Sequence, residues 1–202
     1  MPRIYLVRHA KPAAAWGDDP DPGLDALGAT QAAAVAQRLA SITARTPVYT
    51  SPLRRCRETA VPLCELWQCA ATVLTSVAEI PSPPLDREAK REWLTAGMAG
   101  TWRELHERAP AGSIDYLDWR RNVVDALNAL PHDCVVFTHY IAINVAAAAA
   151  QRREEVVCFR PDHASVTVLE TAAQGLRLVE LGREARTGVL VGQLYGDRKS
   201  VV

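Results

Sequence analysis

Strand-length apolar runs alternate with helix-length amphipathic stretches through most of this chain, and that alternation constrains the fold more than any other feature. Ile4 to Val7 form a short β-prone run, too short for a helix, which reads as a buried strand. Pro47–Thr50, Ala71–Thr75 and Cys134–Thr138 read as further strands, and Val166–Glu170 with Leu176–Leu181 as a closing pair around a turn at Gln174-Gly175. Between them, Asp25 can cap a helix carrying Leu27, Gln31, Val35, Leu39 and Ile42 at helical spacing. Ser51-Pro52 reads as the N-cap and first position of a second helix, which Pro62 should kink or end. Ile114–Leu130 reads as an amphipathic helix, and an alanine-rich one begins near Ile141. This order predicts a three-layer α/β/α sandwich around a mostly parallel, mixed central sheet.

No repeat and no long linker interrupts the pattern, so the 202 residues are expected to form a single domain. Residues 80–112, with Pro81, Pro83 and Pro84 followed by helical pieces broken by glycines, read as a covering insertion with Trp93, Met98 and Trp102 as covering residues. The stretch from residue 10 to 25 has loop composition, and the last twenty residues are poorly patterned. Lys plus Arg and Asp plus Glu number 23 each, so no global field recruits nucleic acid or an anionic membrane. The longest apolar run, Ile141 to Ala150, is too short to span a bilayer. The five cysteines are scattered without a CxxC or zinc-like spacing and read as reduced thiols of a cytoplasmic protein.

Charged or nucleophilic side chains stand where these strands end. Arg8-His9 follow the first strand, Arg55 lies in the turn after the second, Glu79 comes shortly after the third, and His139 follows Thr138 directly. Alone, Arg8-His9 would be a solvated pair at an ordinary strand end, and Arg54 and Arg57 read as a solvated basic face. In a parallel sheet, however, the carboxyl ends converge on one cleft. Two histidines, two arginines and a carboxylate would then share it.

The same residues resemble the histidine phosphatase superfamily, the phosphoglycerate-mutase-like enzymes. Leu6-Val-Arg-His-Ala10 is similar to its leading Arg-His-Gly motif, and Asp25-Ala-Leu-Gly-Ala-Thr-Gln31 to the stretch that opens its first helix. Ser51-Pro-Leu-Arg-Arg-Cys-Arg-Glu-Thr-Ala60 resembles its Ser-x-Leu-x-Arg-Ala-x-x-Thr-Ala motif, which puts the family arginine on Arg55. Phe137-Thr-His139 resembles the second histidine motif, and His163-Ala-Ser-Val166 the start of the late strand. The motifs occur in family order. The chain differs from the pattern at Ala10, Lys11 and Tyr140, and Ile-Pro-Ser-Pro-Pro follows Glu79 in place of a Gly-x-Trp-x-Gly-like continuation.

The resemblance implies a phosphomonoester phosphatase that needs no cofactor or metal and takes a small phosphorylated substrate. His9 would be the nucleophile, Arg8 and Arg55 would neutralise the phosphoryl oxygens, and His139 would donate a further hydrogen bond to them. Glu79 would be the general acid and base, with Asp86 and Glu88 as alternatives. Tyr140 and Lys11 would complete the substrate-binding surface. A phosphomutase on the same phosphohistidine and a non-catalytic phosphate- or partner-binding module remain as alternatives. So do a sugar phosphate, a nucleotide-derived ester and a protein phosphohistidine as substrates. Other phosphate chemistries fail on spacing. No Cys is followed six positions later by Arg, no GxxxxGK[ST] occurs, and His106-Glu107 meets Pro110 where a zinc HExxH needs histidine.

Overall fold

A computed structural model describes residues 1–14 and 19–185. The end of the chain from residue 186, within the poorly patterned tail, and residues 15–18 of the first loop lie outside the described residues. Six strands, β1 (Arg3–Arg8), β2 (Val48–Thr50), β3 (Thr72–Val73), β4 (Cys134–Thr138), β5 (Val166–Ala172) and β6 (Gly175–Glu180), form one sheet in the order β3-β2-β4-β1-β5-β6. The first four are parallel, β5 runs antiparallel to β1, and β6 antiparallel to β5. The helices are α1 (Ala26–Ile42), α2 (Arg54–Trp67), α3 (Arg87–Met98), α4 (Trp102–Glu107), α5 (Tyr116–Asn128) and α6 (Tyr140–Ala150). No helix among the described residues is long and apolar enough to cross a membrane.

Alternation along the central strands makes the three layers. Tyr5, Val7, Val135 and Phe137 pack on Val35, Leu39, Cys56, Leu63 and Trp67 of α1 and α2. Ile4, Leu6, Cys134 and Val136 face the opposite way, onto Trp102, Val123, Leu127, Ile141 and Val145 of α4, α5 and α6. β1 and β4 are therefore covered on both faces, which explains their near-continuous apolar composition.

The helix ends show where local signals hold and where packing overrides them. Asp25 caps α1 by accepting from Gly28 N at 2.6 Å. Gly28 itself is needed for close approach, since a Cβ there would lie 2.1 Å from the Lys11 carbonyl oxygen. Ser51, by contrast, does not cap α2, which begins at Arg54 after Leu53 with no side-chain cap. Nor does Pro62 end that helix. The turn beyond it is held by burial of Leu63 and Trp67, a tertiary gain that outweighs one lost backbone hydrogen bond. The third strand shrinks to two residues and gives way to a 3₁₀ turn over Thr75–Val77.

Candidate active site

Strand register places the site. Arg8 pairs with Thr138, so His9 and His139 leave neighbouring strands at the same level. Thr50 pairs with Phe137, which brings Ser51 level with Thr138. Because β5 is antiparallel, its start comes to the same edge: Val7 pairs with Val166, and His163 stands just before it. Three imidazoles thus gather at one end of the sheet, with ring centroids 5.3 Å apart for His9 and His139 and 5.6 Å for His9 and His163.

A cleft of about 540 Å³ opens over them, lined by Arg8, His9, Arg55, Glu79, Tyr140 and His163 among others. Ile80, Pro81, Ser82, Arg87 and Lys90 build one wall. Of the residues expected from sequence, His139 lies fully buried behind this lining, and Lys11 pairs with Asp25 at 3.2 Å instead of lining the cleft. Asp86 is spent on capping α3, and neither it nor Glu88 lines the cleft.

Hydrogen bonds fix the state of each ring. His9 Nδ1 is 2.9 Å from the Ala10 carbonyl oxygen, which can only accept, so Nδ1 carries the proton and Nε2 of the neutral ring keeps its lone pair. The Ala10 N–H donates to Thr59 Oγ1 at 3.0 Å, tying the turn after His9 to α2. On His139 the order is reversed. A guanidinium nitrogen of Arg55 donates to Nδ1 at 3.1 Å, so Nε2–H of the neutral ring donates to Ser51 Oγ at 2.7 Å. Ser51, read from sequence as a helix cap, is the anchor of this buried imidazole.

The cations are also set by backbone and ring contacts. Arg8 Nη1 donates to the Pro161 carbonyl at 2.9 Å, and its guanidinium lies 5.1 Å from the centre of the Tyr140 ring. Burial lowers its pKa to about 10, which leaves it charged at neutral pH. Glu79 Oε1 accepts from the backbone N–H groups of Ile80 at 3.1 Å and Ile141 at 3.2 Å, the latter in the first turn of α6. Desolvation nevertheless dominates and raises the carboxyl above its usual range, against the pull of those bonds and of both arginines. Among the described residues no cluster of three or more His, Cys, Asp or Glu could hold a metal ion.

With the geometry in place, the comparisons identify its kind. The family model of the histidine phosphatase superfamily (branch 1) matches residues 4–184. The chain belongs to the histidine phosphatase superfamily. Solved histidine phosphatase folds are correspondingly similar. A mycobacterial glucosyl-3-phosphoglycerate phosphatase in complex with inorganic phosphate is 25% identical with a TM-score of 0.68, over 91% of this chain and 98% of that one. The α-ribazole phosphatase of Shigella flexneri is 15% identical with a TM-score of 0.70, over 90% and 96%. A phosphoserine phosphatase mutant of Entamoeba histolytica, in complex with phosphoserine, is 17% identical with a TM-score of 0.67, over 89% and 96%. No curated protein matches the chain by sequence.

The neutral imidazoles of this histidine phosphatase have a measurable consequence. Burial, then neighbouring Arg55 and Arg8 among other groups, push His9 and His139 well below the ordinary imidazole pKa. Burial, Arg8 and Lys11 do the same to His163. Below about pH 6.5 the unfolded chain binds protons on these rings and the folded one does not, so stability falls as the pH falls. Each ring contributes about 1.4 kcal/mol per pH unit in that window. Glu79, raised, works in the opposite direction, one carboxyl against three imidazoles. Urea unfolding should therefore show a clearly lower midpoint at pH 5.5 than at pH 7.5, with m unchanged. Equal midpoints would contradict three buried neutral rings.

Proposed function

We propose that this histidine phosphatase hydrolyses small phosphomonoesters through a phosphohistidine on His9, with no metal or cofactor. The observation that carries the reading is the Nδ1–H bond to the Ala10 carbonyl, which leaves the Nε2 lone pair of a neutral imidazole available in a cleft lined by Arg8 and Arg55. Nε2 attacks phosphorus, the bond from phosphorus to the leaving oxygen breaks, and Glu79 gives that oxygen its proton. Water then attacks the phosphohistidine, the P–N bond breaks, and the Glu79 carboxylate takes the proton from water. Arg8 and Arg55 neutralise the equatorial oxygens in both steps. The raised pKa of Glu79 supports the first role, because an acid must begin protonated.

The cleft volume suits a metabolite-sized ester. The similar proteins named above are phosphatases of small phosphorylated molecules by name, which supports the same class here. All five cysteines are free thiols, as suits a reducing cytoplasm. The test is phosphate release from a panel of phosphorylated metabolites, with and without EDTA and vanadate. Turnover insensitive to EDTA and blocked by vanadate is expected. Activity lost on chelation and restored by a divalent ion would overturn the metal-free mechanism. Transfer of labelled phosphate to a second hydroxyl in place of release would make the chain a mutase, and binding without turnover would make it a non-catalytic module.

A further inference from the structure

Glu79 reaches the cleft on a short piece of chain that has left the sheet. β3 ends at Val73, Leu74 N donates to the Thr50 carbonyl at 2.8 Å, and the backbone then enters the 3₁₀ turn over Thr75–Val77. That turn closes on itself, with Val77 N donating to the Leu74 carbonyl at 3.3 Å and Ala78 N to the Thr75 carbonyl at 3.1 Å. A side chain ties its last residue back to the sheet. Thr138 Oγ1, at the end of β4, donates to the Val77 carbonyl at 2.6 Å across 61 positions of sequence. Both residues are buried, so the bond is made away from solvent.

Thr138 also holds the nucleophile. Its own carbonyl accepts from His9 N at 2.9 Å. The backbone of this one residue thus fixes the level of His9, and its hydroxyl fixes the point from which the chain runs two residues on to Glu79. From the other side Ile141 N, in the first turn of α6, holds the Glu79 carboxyl. Thr138 itself stands outside the cleft lining.

We propose that Thr138 is a positioning residue for the general acid, whose hydroxyl sets where Glu79 stands relative to the phosphoryl group that His9 attacks. The inference rests on the phosphohistidine reading of the cleft, with Glu79 as the acid. A buried carbonyl that loses its donor is costly to leave unpaired, so without the hydroxyl the turn shifts toward another partner and carries Glu79 with it. Attack by His9 draws on the Thr138 carbonyl, which any side-chain substitution keeps. Removing the hydroxyl therefore separates protonation of the leaving group from attack on phosphorus.

Thr138→Val keeps the shape of the side chain and deletes the donor, and Thr138→Ser keeps the donor. Single-turnover formation of phosphoenzyme is followed for both variants and the wild type on an alkyl phosphate and on nitrophenyl phosphate, beside Glu79→Gln. A misplacement of about 1 Å can cost on the order of 10²-fold, so the valine variant should lose roughly 10- to 100-fold on the alkyl substrate. On nitrophenyl phosphate, whose leaving group needs little protonation, it should stay within about threefold of wild type. The serine variant should resemble wild type on both. Thr138→Cys covers the case in which the valine variant does not fold. Its S–H donates over a longer distance, which displaces the turn without orphaning the carbonyl, and it should show the same split in smaller measure.

A hydroxyl that only supports the fold would lower both substrates together. Equal losses on the two substrates, no loss on either, or a serine variant as impaired as the valine one would overturn the proposal. If Glu79→Gln still splits the substrates in that case, the acid reading stands without Thr138. If Glu79→Gln shows no split, Glu79 is not the acid and the proposal falls with it.

Discussion

His9→Ala should leave neither measurable phosphate release nor a trappable phosphoenzyme. The substitution removes the atom that forms the covalent bond, so the two-step path closes, and the loss should be at least roughly 10⁴-fold in kcat/KM. Arg8, Arg55 and Glu79 remain to bind substrate, so inorganic phosphate should still be held. The scaffold should tolerate the change. The His9 backbone is fixed by its own N–H donating to the Thr138 carbonyl at 2.9 Å, a bond alanine keeps. Rapid quench with radiolabelled substrate should give an acid-labile, base-stable label on wild type and none on the variant, with matching circular dichroism. Equal labelling of both proteins would remove His9 from the mechanism.

Glu79→Gln should discriminate between substrates by their leaving groups. Glutamine is isosteric, and its carbonyl oxygen can still accept from the Ile80 and Ile141 N–H groups that hold Glu79 Oε1, so the wall of the cleft stays in place. What it lacks is a proton to give. An alkyl phosphate expels a basic alkoxide and should lose about 10²- to 10⁴-fold in rate, the usual worth of general acid catalysis. A nitrophenyl phosphate expels a stabilised phenolate and should lose far less, provided formation of the phosphoenzyme is followed in a single turnover. Equal losses on both substrates, or none on either, would exclude Glu79 as the acid. The placement of Asp86 and Glu88 away from the cleft makes Glu79 the first carboxylate to test.

What could be read from sequence followed the geometry of parallel strands. Ile4–Val7 and Cys134–Thr138 are buried on both faces, so they stand out as apolar runs, and Arg8, His9 and His139 stand directly after them. Helix caps were less legible. Ser51-Pro52 has the composition of an N-terminus, yet its hydroxyl has a stronger claim from a buried imidazole brought in by β4, a contact 88 positions away in sequence. Lys11 comes two residues after His9 in sequence, but its ammonium reaches Asp25, and Pro12 and Ala14 beyond it line the cleft instead. The place of His163 in the cleft lining is not legible in the sequence for a topological reason. Its strand runs antiparallel, so the side chain that faces the cleft precedes the strand instead of following it, and a search of carboxyl ends passes it by.

The straps on β1 also set how the site breathes. Arg8 ends an inner strand and His9 follows it, and their amides are bonded to neighbours on the two sides, Arg8 to Ser165 just before β5 and His9 to Thr138 of β4. Such amides exchange with solvent only when the whole sheet comes apart. Helix α3, which supplies Arg87 and Lys90 to the opposite wall, buries only Leu94 and Gly97 and keeps much of its surface in water. Its amides should exchange through shallow openings that leave the sheet untouched. In deuterium the amides of Arg8 and His9 would then remain dark for hours or days while the wall built from α3 takes up label early. On the proposed reaction, a cleft so divided would keep the phosphoryl end fixed while the other end reshapes around whatever the phosphate is attached to.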